Sequence, residues 1–200
     1  MTAGPDAADA AGAAWQDLSA QITSCTACAD LVATRTTVVP GVRPAHARLL
    51  LVGEAPGATE DATGLPFAGR AGQLLDVFLT QAGLDRAQVG VVNVLKCRPP
   101  GNRTPSRAEL GRCRPWLDRQ LDIADPDLVV CLGGTATGWF LGAGVRLGAS
   151  RQKVHQVAGR SVVVTYHPSA VLRSGPLGAP ALALREDLAW VAQLLTGAAR

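Results

Sequence analysis

The stretch "VVNVLKCRPPGNRTPSRAELGRC", residues 91–113, begins as an apolar run and turns abruptly basic and proline-rich. Its first residues belong to "VGVVNVL" (89–95), one of four short runs nearly continuous in apolar residues; the others are "RLLLVG" (48–53), "DLVVCLG" (127–133) and "SVVVTYH" (161–167). Runs of this length without polar alternation predict strands covered on both faces, as in a parallel sheet. Helical patterns lie between them. Leu74, Leu75, Phe78, Leu79 and Ala82 make one apolar stripe, and Leu184, Leu188, Val191 and Leu195 make another. Ser106 and Glu109 form an S-x-x-E capping box after Pro105, opening a helix on which Leu110, Cys113, Leu117 and Leu121 share a face. Strands alternating with helices predict an α/β fold, a three-layer α/β/α sandwich on a central four-stranded parallel sheet.

Two hundred residues at 48% hydrophobic supply one well-cored domain. It is expected to span 15–200, with a helix from Trp15 to about Thr23 behind a flexible tail, 1–14, of Ala, Gly and Asp without periodicity. The opening "MTAGPDAADAAGAA" has acids and no basic segment before an apolar stretch, unlike a secretory signal. No apolar run approaches the roughly 18 residues of a membrane span. A cytoplasmic protein is the expectation, in which grouped cysteines point to metal or catalysis rather than disulfides. Net charge is +3, yet residues 96–119 alone carry seven basic side chains against Glu109 and Asp118. That segment reads as a solvated helix face or as a phosphate-contacting patch.

Open parallel sheets bind ligands at the carboxyl ends of their strands. Here those ends carry "GEAPG", Asn93, "GG" and "HPS". The first continues as "GEAPGATEDATGLPFAGRAGQLL", Gly-rich but lacking the G-K-[ST] of a phosphate loop. Glu54, Glu60 and Asp61, with Phe67 among small residues, suggest a pocket in which a ring stacks on a planar ligand. The amide of Asn93 offers an acceptor and a pair of donors, suited either to nearby backbone or to the edge of a nucleobase. His167 precedes a Pro-Ser turn, and a neutral imidazole there can donate to a developing anion. Val171 and Leu172, beside Arg173 in the expected loop, have the make-up of a wedge between stacked bases.

Cys25 and Cys28 form C-x-x-C, and Cys97 and Cys113 flank the Pro-rich loop, whereas Cys131 sits in "LVVCLG" as plain core. Four thiolates suit a zinc ion or an iron–sulfur cluster, and the spacing matches no compact zinc ribbon.

Taken together and in order, "CTAC", "VVPG", "GEAPGATED", "GLPFAGRAGQLL", "NVLKCRPPGNRTP", Cys113 and "HPSAVLR" resemble the family 4 uracil-DNA glycosylases, from about Cys25 to the last helix. The resemblance implies a [4Fe–4S] cluster on Cys25, Cys28, Cys97 and Cys113. It implies hydrolysis of the N-glycosidic bond of deoxyuridine in double- or single-stranded DNA, by a monomer that initiates base-excision repair, with downstream repair proteins as further partners. It gives Phe67 the stacking on uracil, Asn93 the N3–H and O4 edge, His167 the donation to O2, and Glu60 the exclusion of thymine's methyl group. Gly53 and Ala55 complete the implied substrate-binding set, and Arg98, Arg103, Val171, Leu172 and Arg173 are the expected DNA contacts. The best-known branch of the superfamily carries an Asp where Ala55 stands, aimed at the attacking water; Glu54 is the candidate for that task here. Thr59 departs mildly from a loop that often has more acids. A uracil-trapping relative would carry a His in place of Cys97 and an added basic loop with a reactive His, whereas this chain has no His from 47 to 154. A noncatalytic iron–sulfur DNA-binding module is the other alternative, one with no physical need for Phe67, Asn93 and His167 together.

Overall fold

The computed structural model describes residues 5–197. In chain order the elements are α1 (Pro5–Thr23), α2 (Ala29–Val32), β1 (Leu49–Gly53), α3 (Ala58–Thr63), α4 (Arg70–Gln81), β2 (Val89–Asn93), α5 (Arg107–Ala124), β3 (Leu128–Leu132), α6 (Gly134–Leu141), α7 (Leu147–Ser150), β4 (His155–Val157), β5 (Arg160–Thr165), α8 (Pro168–Ser174) and α9 (Ala179–Leu195). The four apolar runs are the four parallel strands, in the order β2-β1-β3-β5.

The sheet has a fifth strand that the apolar pattern does not announce. β4 pairs antiparallel with β5 at the edge, and its burial is only partial. Three residues, "HQV", carry no apolar run to detect. Their pairing is set by the two-residue turn Ala158–Gly159, where both φ angles are positive (48° and 79°), the geometry that lets a hairpin close with the natural twist of its strands.

Alternate side chains of the parallel strands enter two separate cores, which makes the three layers. Leu49, Leu51, Val91, Val130 and Val163 pack under α4, α8 and α9 with Leu75, Phe78, Leu184 and Leu188. Leu50, Val52, Val92, Cys131 and Val164 pack on the opposite face against α1, α5 and α6 with Trp15, Leu117, Leu121 and Phe140. Cys131 is fully buried there, as its apolar neighbours require. A smaller third core, with Leu18, Ile22, Leu31, Val38 and Leu95, lies beneath Cys97 and Cys113.

Two local expectations change. The first helix begins at Pro5 rather than Trp15, so residues 5–14 are helical rather than a loose tail, and residues 1–4 of that tail lie outside the described residues. Alanine-rich sequence favours helix without any apolar period, while the buried side chains Trp15, Leu18 and Ile22 begin where the periodicity does. The segment after His167 is also a helix, α8, not a loop. Pro168 occupies its first position, where a missing N–H costs nothing, and His167 is its N-cap, with the side chain accepting the Ser169 N–H. The capping box at the start of α5 forms as expected: Ser106 Oγ accepts the Glu109 N–H and Glu109 accepts the Ser106 N–H at 2.7 Å. Among the described residues no helix is long and apolar enough to cross a membrane.

Candidate functional site

Chain connections leave β1 and β3 toward opposite edges of the sheet, which opens a crevice at their carboxyl ends. A cavity of about 740 Å³ occupies it, with Glu54, Glu60, Phe67, Asn93, Gly133 and His167 in its walls and Arg103 and Arg173 at its margin. Residues as far apart as Glu54 and Arg173 meet there because the parallel strands all end on the same side of the sheet.

Asn93, the last residue of β2, is 2% exposed, and its Oδ1 has no hydrogen-bond partner in the protein. A buried amide oxygen left without a donor is costly unless a ligand supplies one. Gly53 stands opposite Asn93 in the β1–β2 register, and a Cβ added to it would fall 2.4 Å from Asn93 Oδ1 and 2.7 Å from the tip of the Phe67 ring. Its contribution is the absence of a side chain, which lets ring and amide close on the same space. Phe67 has φ 55°, in the left-handed region that an aromatic residue rarely adopts. Tight packing holds it so: a Cβ on Gly72 would lie 1.6 Å from the Phe67 carbonyl oxygen. Strain of this kind is kept where the surroundings over-determine it, commonly at ligand sites.

Glu60 is buried and spent on the backbone, its Oε2 accepting from Gly57 N at 3.0 Å and its Oε1 from Gly69 N at 2.8 Å. Its carboxylate therefore braces both ends of the loop that presents Phe67. Glu54 accepts a hydrogen bond from Thr135 Oγ1 of α6. Sequence reasoning passed over Thr135, although a hydroxyl one residue beyond the "GG" strand end was the available signal.

The imidazole of His167 lies with its centroid 5.6 Å from that of Phe67. Burial, reinforced by the Arg173 cation and opposed by Glu60, lowers its pKa to about 4, so the ring is neutral at pH 7. Nδ1 accepts the Ser169 backbone N–H at 3.1 Å and lies 2.9 Å from Ser169 Oγ. This assigns the proton of the neutral ring to Nε2 and leaves that N–H as the donor. Arg173 Nη1 donates to the same Ser169 hydroxyl at 3.3 Å.

The expected DNA contacts divide. Leu172 is 42% exposed, whereas Val171 is 3% exposed and part of the core beneath α8, so Val171 is no wedge. In a helix, adjacent residues point about 100° apart, and the way α8 docks turns Leu172 out and Val171 in. Arg173 is exposed. Arg103 is gripped by Glu109 through two hydrogen bonds of 2.6 and 2.9 Å, holding that carboxyl down at about 2 and cancelling much of the charge expected of this arginine. Arg98 Nε donates to Asn102 Oδ1 at 2.7 Å, within the Pro-rich loop.

On the far side of that loop, Cys25, Cys28, Cys97 and Cys113 line one small cleft. Cys97 Sγ receives Arg35 Nη1 at 2.9 Å, Cys113 Sγ receives the Lys96 backbone N–H at 3.3 Å, and Cys25 Sγ receives Trp116 Nε1 at 3.4 Å. Arg35 Nη2 also donates to Cys25 O at 2.6 Å, joining the C-x-x-C turn to Cys97. No sequence pattern predicted Arg35, 62 residues from Cys97. Burial pushes the Cys113 thiol up to about 11 and raises that of Cys97. Among the described residues no three His, Cys, Asp or Glu side chains converge to hold a single metal ion. One zinc would draw each thiolate to about 2.3 Å from a common point, whereas a cluster takes one thiolate at each of several iron corners and tolerates wider spacing. Four cysteine thiolates on one cleft are a donor set of the type that an iron–sulfur cluster takes.

A family model described as the uracil DNA glycosylase superfamily matches residues 40–189, a span that contains every cavity residue named above. A type-4 uracil-DNA glycosylase of Thermotoga maritima is 43% identical over 159 residues, covering 78% of this chain and 82% of that one. Type-4 enzymes of Archaeoglobus fulgidus and Pyrobaculum aerophilum are each 42% identical, over 78% and 81% of this chain and 82% and 86% of theirs. The chain belongs to the type-4 branch of the uracil-DNA glycosylase superfamily. The glycosylase family model includes Cys97 and Cys113 but begins after Cys25 and Cys28, so half of the thiol quartet comes from a part of the chain outside the superfamily's shared region.

Proposed function

We propose that the protein is a monofunctional uracil-DNA glycosylase, a monomer of the cytoplasm that hydrolyses the N-glycosidic bond of deoxyuridine in DNA and so opens base-excision repair. The observation that carries this reading is the buried, unpartnered Oδ1 of Asn93 sharing one cavity with the ring of Phe67, held on a left-handed backbone, and a neutral His167. Uracil lies inside the stack of duplex DNA, so the nucleotide must first be extruded at a cost of a few kcal/mol. Stacking on Phe67 returns roughly 1–3 kcal/mol. Asn93 accepts N3–H at Oδ1 and donates its amide to O4, an edge that cytosine does not offer. Glu60, immobilised by two backbone N–H groups, is the wall that thymine's methyl group would strike.

As the bond between C1′ and N1 breaks, its electron pair passes to the base and negative charge grows on O2. The Nε2–H of His167 donates to that oxygen, and such a preorganised donor contributes about 3–4 kcal/mol in the transition state alone. Glu54, steadied by Thr135, holds the water that adds to C1′ and completes hydrolysis to free uracil and an abasic site. Leu172 and Arg173, on the exposed side of α8, meet the DNA beside the vacated base. Cys25, Cys28, Cys97 and Cys113 would hold a [4Fe–4S] cluster, whose service when bound is to staple the Pro-rich loop to the N-terminal helices. No step on uracil needs its electrons.

A single-turnover assay on a uracil-containing oligonucleotide, run beside Asn93→Ala and His167→Ala, tests the reading. A strand shortened by alkali after incubation with wild type, but not with either variant, supports it. An intact strand bound by iron-loaded wild type rejects it in favour of a noncatalytic module, and a protein–DNA adduct would point to trapping.

A further inference from the structure

Lys96 is 1% exposed, and the reaction just described makes no use of it. Its Nζ donates to the backbone carbonyl of Asn93 at 2.6 Å and to Gln120 Oε1 of α5. Gln120 in turn donates from Nε2 to Pro40 O at 2.8 Å. The backbone N–H of the same lysine donates to Cys113 Sγ, and its carbonyl accepts Val39 N–H at 2.8 Å. Between Asn93 and Lys96, the N–H groups of Val94 and Leu95 donate to Gly53 O and Glu54 O, both at 3.0 Å. Residues 93–96 are thus a strap with the base-reading amide at one end and the thiol quartet at the other. The Lys96 side chain folds back along it to clamp the Asn93 carbonyl.

An ammonium group is an expensive choice for such a place. Burying a charge is costly unless it is well bonded, and an apolar side chain of similar volume often fills the space at no loss of stability. What a methionine could not do is hold the Asn93 peptide by its oxygen while its own backbone N–H meets a cluster-binding sulfur. We propose that Lys96 is a positioning residue that couples the cysteine quartet to Asn93, so that the anchored loop fixes the amide that reads uracil. The inference rests on the glycosylase reading. A rigid first contact needs support of this kind, because an amide free to drift reads no edge reliably.

The test combines a double-mutant cycle with iron release, using iron-loaded full-length protein. Wild type and Asn93→Ala are first compared on a uracil-containing duplex, which judges the glycosylase reading by itself. Lys96→Met is then expected to lower the single-turnover rate by about 10- to 100-fold, the cost of misplacing a reacting group by a fraction of an ångström to an ångström. Its affinity for the duplex should stay within about twofold, since Lys96 touches no DNA, and adding it to Asn93→Ala should cost no more than about twofold further, because both changes disable one group. A merely structural lysine would instead multiply its loss onto that of Asn93→Ala. Methionine keeps the backbone N–H that meets Cys113 Sγ but releases the side-chain clamp that holds the strap in place, so release of iron to a ferrous chelator should quicken in Lys96→Met and not in Asn93→Ala. The proposal is overturned by a wild-type rate in Lys96→Met, by losses that multiply, or by unchanged iron release. Should Lys96→Met not fold, Gln120→Leu removes the other acceptor of Nζ and carries the same cycle and the same readings. If wild type releases no uracil, the glycosylase reading fails, while the iron measurement still judges whether Lys96 is tied to the quartet.

Discussion

Replacing Gly53 by alanine places a methyl group where ring and amide meet. Its carbon would lie 2.4 Å from Asn93 Oδ1 and 2.7 and 2.9 Å from two atoms of the Phe67 ring. Non-bonded carbon contacts settle at about 3.5–4.0 Å, so ring and amide must withdraw by about 1 Å. The backbone of Gly53 is an ordinary extended strand, so no conformational strain accompanies the change. Withdrawal of side-chain tips is cheap for the fold: overpacking costs about 1–3 kcal/mol, offset in part by the 0.4–1 kcal/mol or so that alanine removes from the unfolded chain's entropy. It is dear for the chemistry, since a displacement of about 1 Å at a reacting centre costs roughly 100-fold, or about 2.7 kcal/mol of barrier. Gly53→Ala should therefore melt within a few degrees of wild type and excise uracil about 100-fold more slowly under single-turnover conditions. Thermal melts and alkali-developed time courses on one uracil-containing oligonucleotide read both quantities. A folded Gly53→Ala protein with a rate within twofold of wild type would refute the assignment of this space to the flipped base.

Three further outcomes follow from the same geometry. The pKa of His167 lies near 4 in the folded protein against 6.5 in an open chain, so the unfolded state binds more protons between those values and stability falls as pH drops through that window, by about 3 kcal/mol in all. Uracil excision should accordingly keep its His167-dependent rate down to about pH 4; a limb near 6.5 that vanishes in His167→Gln would contradict the neutral, buried ring. Glu54→Gln should slow single turnover at least about tenfold, as loss of a water-positioning base does, and Thr135→Val should slow it less; full activity in Glu54→Gln excludes that role. For Glu109, whose carboxyl Arg103 holds at about 2, the stability it adds is present above pH 4.5 and lost as pH falls through 2. Glu109→Gln should thus be less stable than wild type by about 1 kcal/mol at pH 7, the worth of a capping interaction, and the two proteins should converge in denaturant melts near pH 2.

The candidate site was legible wherever a residue's role depends on its place at a strand end. Asn93 ends β2, Glu54 and His167 follow β1 and β5, and parallel topology alone carries those ends into one crevice. Residues acting through contact across the fold were not legible. Arg35 reaches Cys97 over 62 positions and Thr135 reaches Glu54 over 81, and neither spacing leaves a local mark. The basic segment shows the same limit. Counting charges along the chain finds both Arg103 and Glu109 but not their pairing, because it exists only once the loop has turned onto the first turn of α5.

What the sequence by itself determined is the layered architecture and the cast of chemically able groups. Four apolar runs too short for helices can be satisfied only by pairing and by cover on both faces, and the alternation of their side chains into two cores is a property of any strand. Tertiary structure decided which of those groups are free to act. Two adjacent aliphatics on α8 were divided into Leu172 outside and Val171 inside by the direction in which the helix docks. Two carboxylates of one loop were divided into Glu60, consumed by backbone donors, and Glu54, held by a single hydroxyl. Burial set the charge of His167, and the turn of backbone after it chose which nitrogen keeps the proton. Pattern specifies where a side chain can go, but its hydrogen bonds, its solvent and hence its chemistry belong to neighbours that only the folded chain brings within reach.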